Sequence, residues 1–344
     1  MSYQALQVMR LPWPTPWPEL FGRDAPLLLE IGFGNAEFLL DLAQARPEAN
    51  VLGVEISLPS LRHGEKKAQQ AGFTNLHLVQ GDARQVLWLL CGPDTGGGLY
   101  LNFPDPWPKA AHHRRRLIND RFLHLAATRL RAGATLNIAT DHAGYASAIT
   151  DCLARTPYFD SRLPAAYTWE DPERLRTKYE QLALAEGRAC YYFKWRRNQK
   201  PAPDDFPIPQ EFPVPHVILR SPLGLAEIGQ AFQPIHLVVP AMAEAAEPTQ
   251  INLVELYQAN SSGNLLVEAY VRDEPVTQRL GLLIRQREAG ELMIRLHEIG
   301  FPRPTLGAKQ AVRHLAEWVI SLHPRTQVVA SNLGLGPPGL EADG

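Results

Sequence analysis

Five short apolar runs, each followed by an amphipathic stretch, constrain this chain more than any other feature. They are LLLEI (27–31), VLGVEI (51–56), LHLVQ (76–80), LYLNF (99–103) and TLNIAT (135–140). Near-continuous apolar runs of this length suit strands buried on both faces, as in a parallel sheet with helices between its strands. The segments between them agree. In 35–46, Phe38, Leu39, Leu42 and Ala43 fall on one helical face, Asn35 is placed to cap the helix, and Pro47 stops it. The pattern predicts a doubly wound α/β fold, which binds ligands at the carboxyl ends of its strands.

Prolines divide the chain. Pro12, Pro14, Pro16 and Pro18 alternate with Trp13 and Trp17. Proline fixes φ and disfavours helix in the residue before it, so 1–20 is expected as an extended entry segment in which no helix starts. Pro201, Pro203, Pro207, Pro209, Pro213 and Pro215 mark 199–215 as a semi-rigid linker. The first domain is then 21–198. Beyond the linker, HVILR, INLVELYQ, LLVEAYVRD, RLGLLIRQR and ELMIRLHEI read as strands with short turns at 261–264 and 288–290. A helix over 307–322 and a strand TQVVA complete a smaller α+β domain with an antiparallel sheet over 216–333, leaving 334–344 as an expected disordered tail.

Composition narrows the class. With 45% apolar and 20% charged residues, and no apolar run of the roughly 18 residues a membrane helix needs, a soluble, cytoplasmic protein is expected. The start MSYQALQVMR lacks the order of a secretory signal. Cys91, Cys152 and Cys190 are too scattered for a disulfide framework and read as packing residues. Residues 1–199 hold 23 basic against 20 acidic side chains, net +3, and the remainder holds 11 against 16, net -5. A phosphate-bearing partner therefore favours the first domain.

Four motifs bear on chemistry. Glu30-Ile31-Gly32-Phe33-Gly34 turns a strand into a helix, where glycines let the backbone approach a ligand. A nicotinamide fingerprint needs a third glycine where Glu37 stands, which counts against a dinucleotide. Glu30 is placed to anchor the ammonium of a methionine moiety, Glu55 to accept two ribose hydroxyls and Asp82 to accept an adenine amine. Together they point to S-adenosylmethionine, because buried carboxylates at strand ends are costly without donors. Asn102-Phe103-Pro104-Asp105-Pro106-Trp107-Pro108-Lys109 stiffens Asp105 between two prolines. Asp105 can pair with guanine N1–H and N2–H while Trp107 stacks on the base; the alternative is a proline turn with Trp107 in the core.

The run His112-His113-Arg114-Arg115-Arg116, with Lys109 and Arg121 nearby, is either a solvated basic face or a phosphate contact that sets the register of an RNA. Its two histidines lack a third ligand at metal spacing, so no metal is expected. Asp141 ends the fifth run and either faces the cleft or caps the next helix. Thr177-Lys178-Tyr179-Glu180 equally suits an exposed helical turn carrying an Arg176/Glu180 pair.

Over about residues 20–198 the chain resembles the bacterial tRNA (guanine-N7-)-methyltransferase family. The resemblance rests on Phe21-Gly22-Arg23, LEIGFG, the PDPW-xK-xxH-xRRR loop, Ala139-Thr140-Asp141, TKYE and Phe193-Lys194-Trp195. It implies a Rossmann-like, class I S-adenosylmethionine-dependent methyltransferase domain that methylates N7 of a guanosine in the tRNA variable loop, position 46. By implication Glu30, Gly32, Gly34, Glu55 and Asp82 hold the cofactor, and Asp105 touches cofactor or guanine and is the catalytic candidate. Lys109, His112, Arg115, Asp141, Thr177, Lys178 and Glu180 would hold the tRNA. The 130 or so C-terminal residues lie outside the resemblance. Competing readings are a methyltransferase acting on another RNA base, a non-catalytic RNA-binding protein and, last because of Glu37, an oxidoreductase.

Overall fold

The computed structural model describes residues 4–335 apart from 173, 175, 242–246 and 288–289, and for Lys178 its backbone alone. The chain divides into two compact units, Met1–Ile208 and Pro209–Gly344.

Among the described residues, the first unit contains strands β1 (Leu6–Gln7), β2 (Leu27–Ile31), β3 (Asn50–Glu55), β4 (Leu76–Gln80), β5 (Gly96–Asn102), β6 (Leu130–Thr140), β7 (Phe159–Ser161) and β8 (Tyr191–Arg197). They form one sheet in the order β1-β4-β3-β2-β5-β6-β8-β7. Pairings from β1 through β6 are parallel, and β8 and β7 close the sheet antiparallel. Every residue of β2 and β3 is buried, which is why these strands read as unbroken apolar runs. The helices are α1 (Trp17–Phe21), α2 (Glu37–Ala45), α3 (Leu58–Ala71), α4 (Ala83–Gln85), α5 (Asp120–Arg129), α6 (Ala143–Arg155) and α7 (Lys178–Ala185). α2 lies close on the sheet: a β-carbon at Gly53 would stand 2.3 Å from a Leu39 methyl and 2.8 Å from the Phe33 ring. Strand order reverses between β2 and β5, and such a switch point opens a crevice at the carboxyl ends of the two strands.

Three local expectations are corrected. A helix does start in the proline-rich entry segment: α1 begins at Trp17 with Pro18 in its first turn, where a missing N–H costs nothing. Val8, Leu11 and Trp17 are buried, and β1 pairs with β4, so the segment belongs to the core. Asn35 does not cap α2, whose cap residue is Ala36 in a left-handed conformation; the Asn35 carbonyl instead accepts from Lys67 at 2.9 Å. Asp141 does not cap α6 either, since the His142 ring accepts from Tyr145 N at 3.1 Å in that role.

The proline-rich stretch after β8 begins as part of the first unit. Phe206 is buried edge-on against Trp88, Trp88 Nε1 donates to the Pro207 carbonyl at 2.8 Å, and buried Arg129 pairs with Asp204 at 3.0 Å. The division between units falls at Ile208/Pro209, inside the 199–215 segment.

Among the described residues, the second unit holds strands β9 (His216–Arg220), β10 (Ile235–Val239), β11 (Thr249–Gln258), β12 (Leu265–Asp273), β13 (Val276–Gln286), β14 (Glu291–Leu296) and β15 (Gln327–Ser331), with α8 (Leu225–Ala231) and α9 (Leu306–Ser321). The sheet is antiparallel throughout, in the order β10-β11-β12-β13-β14-β9-β15. α9 presents Ala308, Ala311, Val312, Leu315, Ala316 and Val319 to the core, the three-and-four spacing of a one-sided helix. Residues 336–344 of the expected tail and 288–289 of the expected turn lie outside the described residues.

The three cysteines are buried and free. Burial pushes the Cys91 thiol up to about 12 and Cys152 to about 11, which makes them poor nucleophiles.

Candidate active site

A cleft of about 520 Å³ opens at the carboxyl ends of β2 to β5, lined among others by Glu30, Gly32, Gly34, Glu55, Asp82, Asp105, Trp107, Arg115 and Thr177. All six residues singled out for the cofactor and Asp105's chemistry therefore meet in one hollow. Lys109, His112, Asp141 and Glu180 lie outside its lining.

Glu30, the penultimate residue of β2, is 1% exposed. One carboxylate oxygen accepts from Asn102 Nδ2 at 2.7 Å across the switch point, and the other is buried with no hydrogen-bond partner among the described residues. Burial raises the Glu30 pKa to about 8, with Asn102 and Arg174 opposing the shift. A buried acceptor oxygen left over in a cleft is a site for a donor that enters with a ligand. Glu55 accepts from Gly34 N at 3.0 Å, Ile56 N at 2.9 Å and Ser57 N at 2.8 Å. It thus holds the glycine turn, where Gly32 and Gly34 have φ of 70° and 52°, a region side chains disfavour. A carboxylate offers about four acceptor positions, so these three bonds leave room for a ligand hydroxyl. Asp82 caps α4 through Arg84 N at 2.8 Å while its side chain still lines the cleft.

The Pro-Asp-Pro loop follows β5. Phe103 and Trp107, on either side of Asp105, have φ of 51° and 41°. Left-handed backbone at non-glycine residues costs on the order of 1–3 kcal/mol each and persists where the surroundings impose it. Arg116 braces the loop: its Nε donates to the Pro106 carbonyl at 2.8 Å, and its guanidinium lies 4.9 Å from the Tyr145 ring centre, while Phe103 N donates to the Ala139 carbonyl at 2.8 Å. Of the basic run, then, buried Arg116 is a brace, while Arg114 and Arg115 are exposed. Trp107 is partly exposed rather than core, with the Arg115 guanidinium 5.0 Å from its ring centre and His112 edge-on at 5.9 Å. Asp105 is exposed at the loop's tip, and Lys109 is exposed at its end.

The TKYE element is organised differently from expectation. Thr177 caps α7 by accepting from Glu180 N at 3.2 Å. Glu180 does not pair with Arg176 and does not face solvent; it is buried, bonded to Arg174 Nε at 3.2 Å and to the Tyr192 hydroxyl at 2.7 Å. The expectation of an exposed helical turn carrying an Arg176/Glu180 pair is corrected accordingly, and Glu180 is enclosed by Arg174 and Tyr192. Its inward setting also raises the Tyr192 pKa, after desolvation. Asp141 is engaged by Arg188. The side chain of Lys178 lies outside the described residues.

Sequence reading missed Asn102 and Arg174. Arg174 donates to Asn102 Oδ1 and stacks 5.0 Å from the Phe38 ring centre, so Glu30, Asn102, Arg174, Glu180 and Tyr192 form one buried chain of polar contacts. The only sequence signal was Asn102 itself, polar at the end of an apolar strand. Phe33, Phe38 and Tyr179 also line the cleft unforeseen.

A parallel sheet with an acidic, glycine-floored crevice at its switch point, holding a buried carboxylate with an oxygen to spare, fits S-adenosylmethionine. Fold and cleft define the class as Rossmann-like, S-adenosylmethionine-dependent methyltransferases. A family model described as a putative methyltransferase matches residues 24–193. A tRNA (guanine-N(7)-)-methyltransferase from Thermus thermophilus is 33% identical over 314 residues, covering 89% of this chain and 92% of the relative. Counterparts of the same name from Halorhodospira halophila and Rhodococcus jostii are 41% and 40% identical, each over 52% of this chain and over 77% and 68% of their own lengths. The chain belongs to the tRNA (guanine-N7-)-methyltransferase family. The Thermus match is too long to fit within the first unit, so similarity continues past the linker, beyond the extent read from the motifs.

Among the described residues, no helix is long and apolar enough to cross a membrane, and no group of three or more His, Cys, Asp or Glu is placed to hold a metal ion.

Proposed function

We propose that this protein methylates N7 of a guanosine in tRNA, that the target is position 46 in the variable loop, and that it works in the cytoplasm. The observation that carries the reading is the meeting of Glu30, Glu55 and Asp105 in one cleft.

Bound S-adenosylmethionine supplies an electrophilic methyl group on a sulfonium. Guanine N7 has a lone pair and no proton, so the protein needs no general base and its task is orientation and exclusion of water. Glu30 would take the methionine ammonium on its spare oxygen, Glu55 a ribose hydroxyl on its remaining acceptor position and Asp82 the adenine amine. Gly32 and Gly34 would let the backbone approach the ligand. Asp105, held on a strained and braced loop, would fix the purine and stabilise the positive charge that grows on it, an effect larger in the transition state than before it. Lys109, His112 and Arg115 would meet tRNA phosphates, and Thr177 the substrate at the cleft. Asp141 and Glu180 would act through Arg188 and Arg174, as positioning residues.

Labelled methyl transfer to unmodified tRNA, followed by chemical cleavage at 7-methylguanosine, tests the reading. Cleavage at the variable loop supports it. Cleavage elsewhere moves the target, and no transfer to tRNA refutes it.

A further inference from the structure

An exposed aromatic group stands on the same edge of the sheet as the cleft, and none of the roles above uses it. Trp169 is 63% exposed, unusual for the side chain that gains most from burial. It is not loose: Tyr167 meets it edge-on at 5.4 Å, and Tyr167 is itself backed by Tyr191 at 5.1 Å and Phe193 at 5.3 Å. Its address follows from register. Thr168 pairs antiparallel with Tyr192 through bonds of 2.9 and 2.8 Å, which sets Trp169 opposite Tyr191. Tyr191 in turn lies opposite Thr140, at the carboxyl end of β6. Trp169 thus sits on the rim that also bears Asn102 and the Asp105 loop. It is three strand spacings out from β5, roughly 14 Å at about 4.8 Å per spacing.

We propose that Trp169, backed by Tyr167, is a stacking platform for an unpaired base of the RNA a few nucleotides from the methylated guanosine. The inference rests on the proposed action on tRNA. Single-stranded loops are read by splaying bases onto aromatic side chains, and a π-face accepts any base. It is the ring rather than net charge that suits a base: on the same rim exposed Arg188 is already paired with Asp141 and Glu186, the Asp171 carboxylate is held by Lys194 at 2.7 Å, and Glu170 beside the indole is exposed. A second copy of this chain is the other occupant an exposed indole attracts, and the test separates the two.

The variants are Trp169→Ala and Trp169→Phe in the full-length protein, with methyl transfer to unmodified tRNA measured alongside wild type. Trp169→Ala is expected to raise the Kd and KM for tRNA about tenfold, as loss of one base stack does, with kcat at saturating tRNA and cofactor affinity unchanged. Trp169→Phe keeps a ring and is expected to recover most of the affinity. Because stacking releases no counterions, the salt dependence of tRNA binding keeps its slope in Trp169→Ala. Unchanged tRNA affinity in Trp169→Ala overturns the platform. So does a fall in sedimenting mass without loss of tRNA affinity, which assigns the indole to a contact between copies. If the wild-type protein transfers no methyl to tRNA, the proposed function fails first. If it does and Trp169→Ala is indistinguishable from it, the platform alone fails.

Discussion

Arg174 and Glu180 form an ion pair at 3.2 Å with side chains only 7% and 1% exposed, and Arg174 extends the contact to Asn102, which holds Glu30. Removing one partner of a buried pair strands the other's charge. Glu180→Gln is expected to lower stability by about 3 kcal/mol and to reduce activity, read from the urea midpoint and from methyl transfer. Arg174→Met combined with Glu180→Gln is expected to lose less stability than the two single variants together, because no charge is left unpaired. Additive losses contradict a direct coupling.

Glu30 gives the protein without cofactor a defined pH response. Its pKa is raised from 4.5 to about 8 in the folded state, so between those values the folded protein binds a proton that the unfolded chain has lost. Stability then falls as pH rises from about 5 to 8, by on the order of a few kcal/mol. Glu30→Gln, which cannot ionise, is expected to flatten that slope in denaturant titrations at pH 5, 6, 7 and 8. The same slope in both proteins removes Glu30 as its source.

Neighbouring arginines of the basic run are expected to separate cleanly. Arg115→Ala is expected to weaken tRNA binding and reduce the salt slope by about one, the signature of a lost phosphate contact. Arg116→Ala removes the bond to the Pro106 carbonyl and the stack on Tyr145, so it is expected to lower the thermal midpoint and kcat together. Melting curves and salt titrations of the two variants check this.

Phe206 tests whether the start of the proline-rich segment belongs to the first unit. It is buried against Trp88, and Phe206→Ala is expected to cost about 3–5 kcal/mol, as truncation of a core aromatic does. A free linker would tolerate the change without loss.

Much of this was legible in the amino-acid sequence for a plain reason. Strands buried on both faces are apolar along most of their length, so Leu27–Ile31 and Asn50–Glu55 announce themselves, and the acidic residues near their carboxyl ends, Glu30 and Glu55, stand out. Elements governed by other rules did not. α1 begins among prolines because the first turn tolerates them, and β10 (Ile235–Val239) alternates at a sheet edge with two of its five side chains exposed. The Asn102–Arg174 contact joins residues 72 positions apart through a loop with no periodicity, which leaves no pattern to read. Arg114, Arg115 and Arg116 look alike as letters, and only packing separates the buried brace from its exposed neighbours.

Asp105 stands exposed on a loop whose flanking residues, Phe103 and Trp107, are held in left-handed backbone at the mouth of the acidic cleft. The most direct measurement is single-turnover methyl transfer to unmodified tRNA by Asp105→Ala, with tRNA affinity measured on the same preparation. The account predicts that the transfer rate falls at least about a hundredfold, as loss of a charge-stabilising group does, while tRNA affinity stays close to wild type. Near wild-type turnover by Asp105→Ala would contradict it.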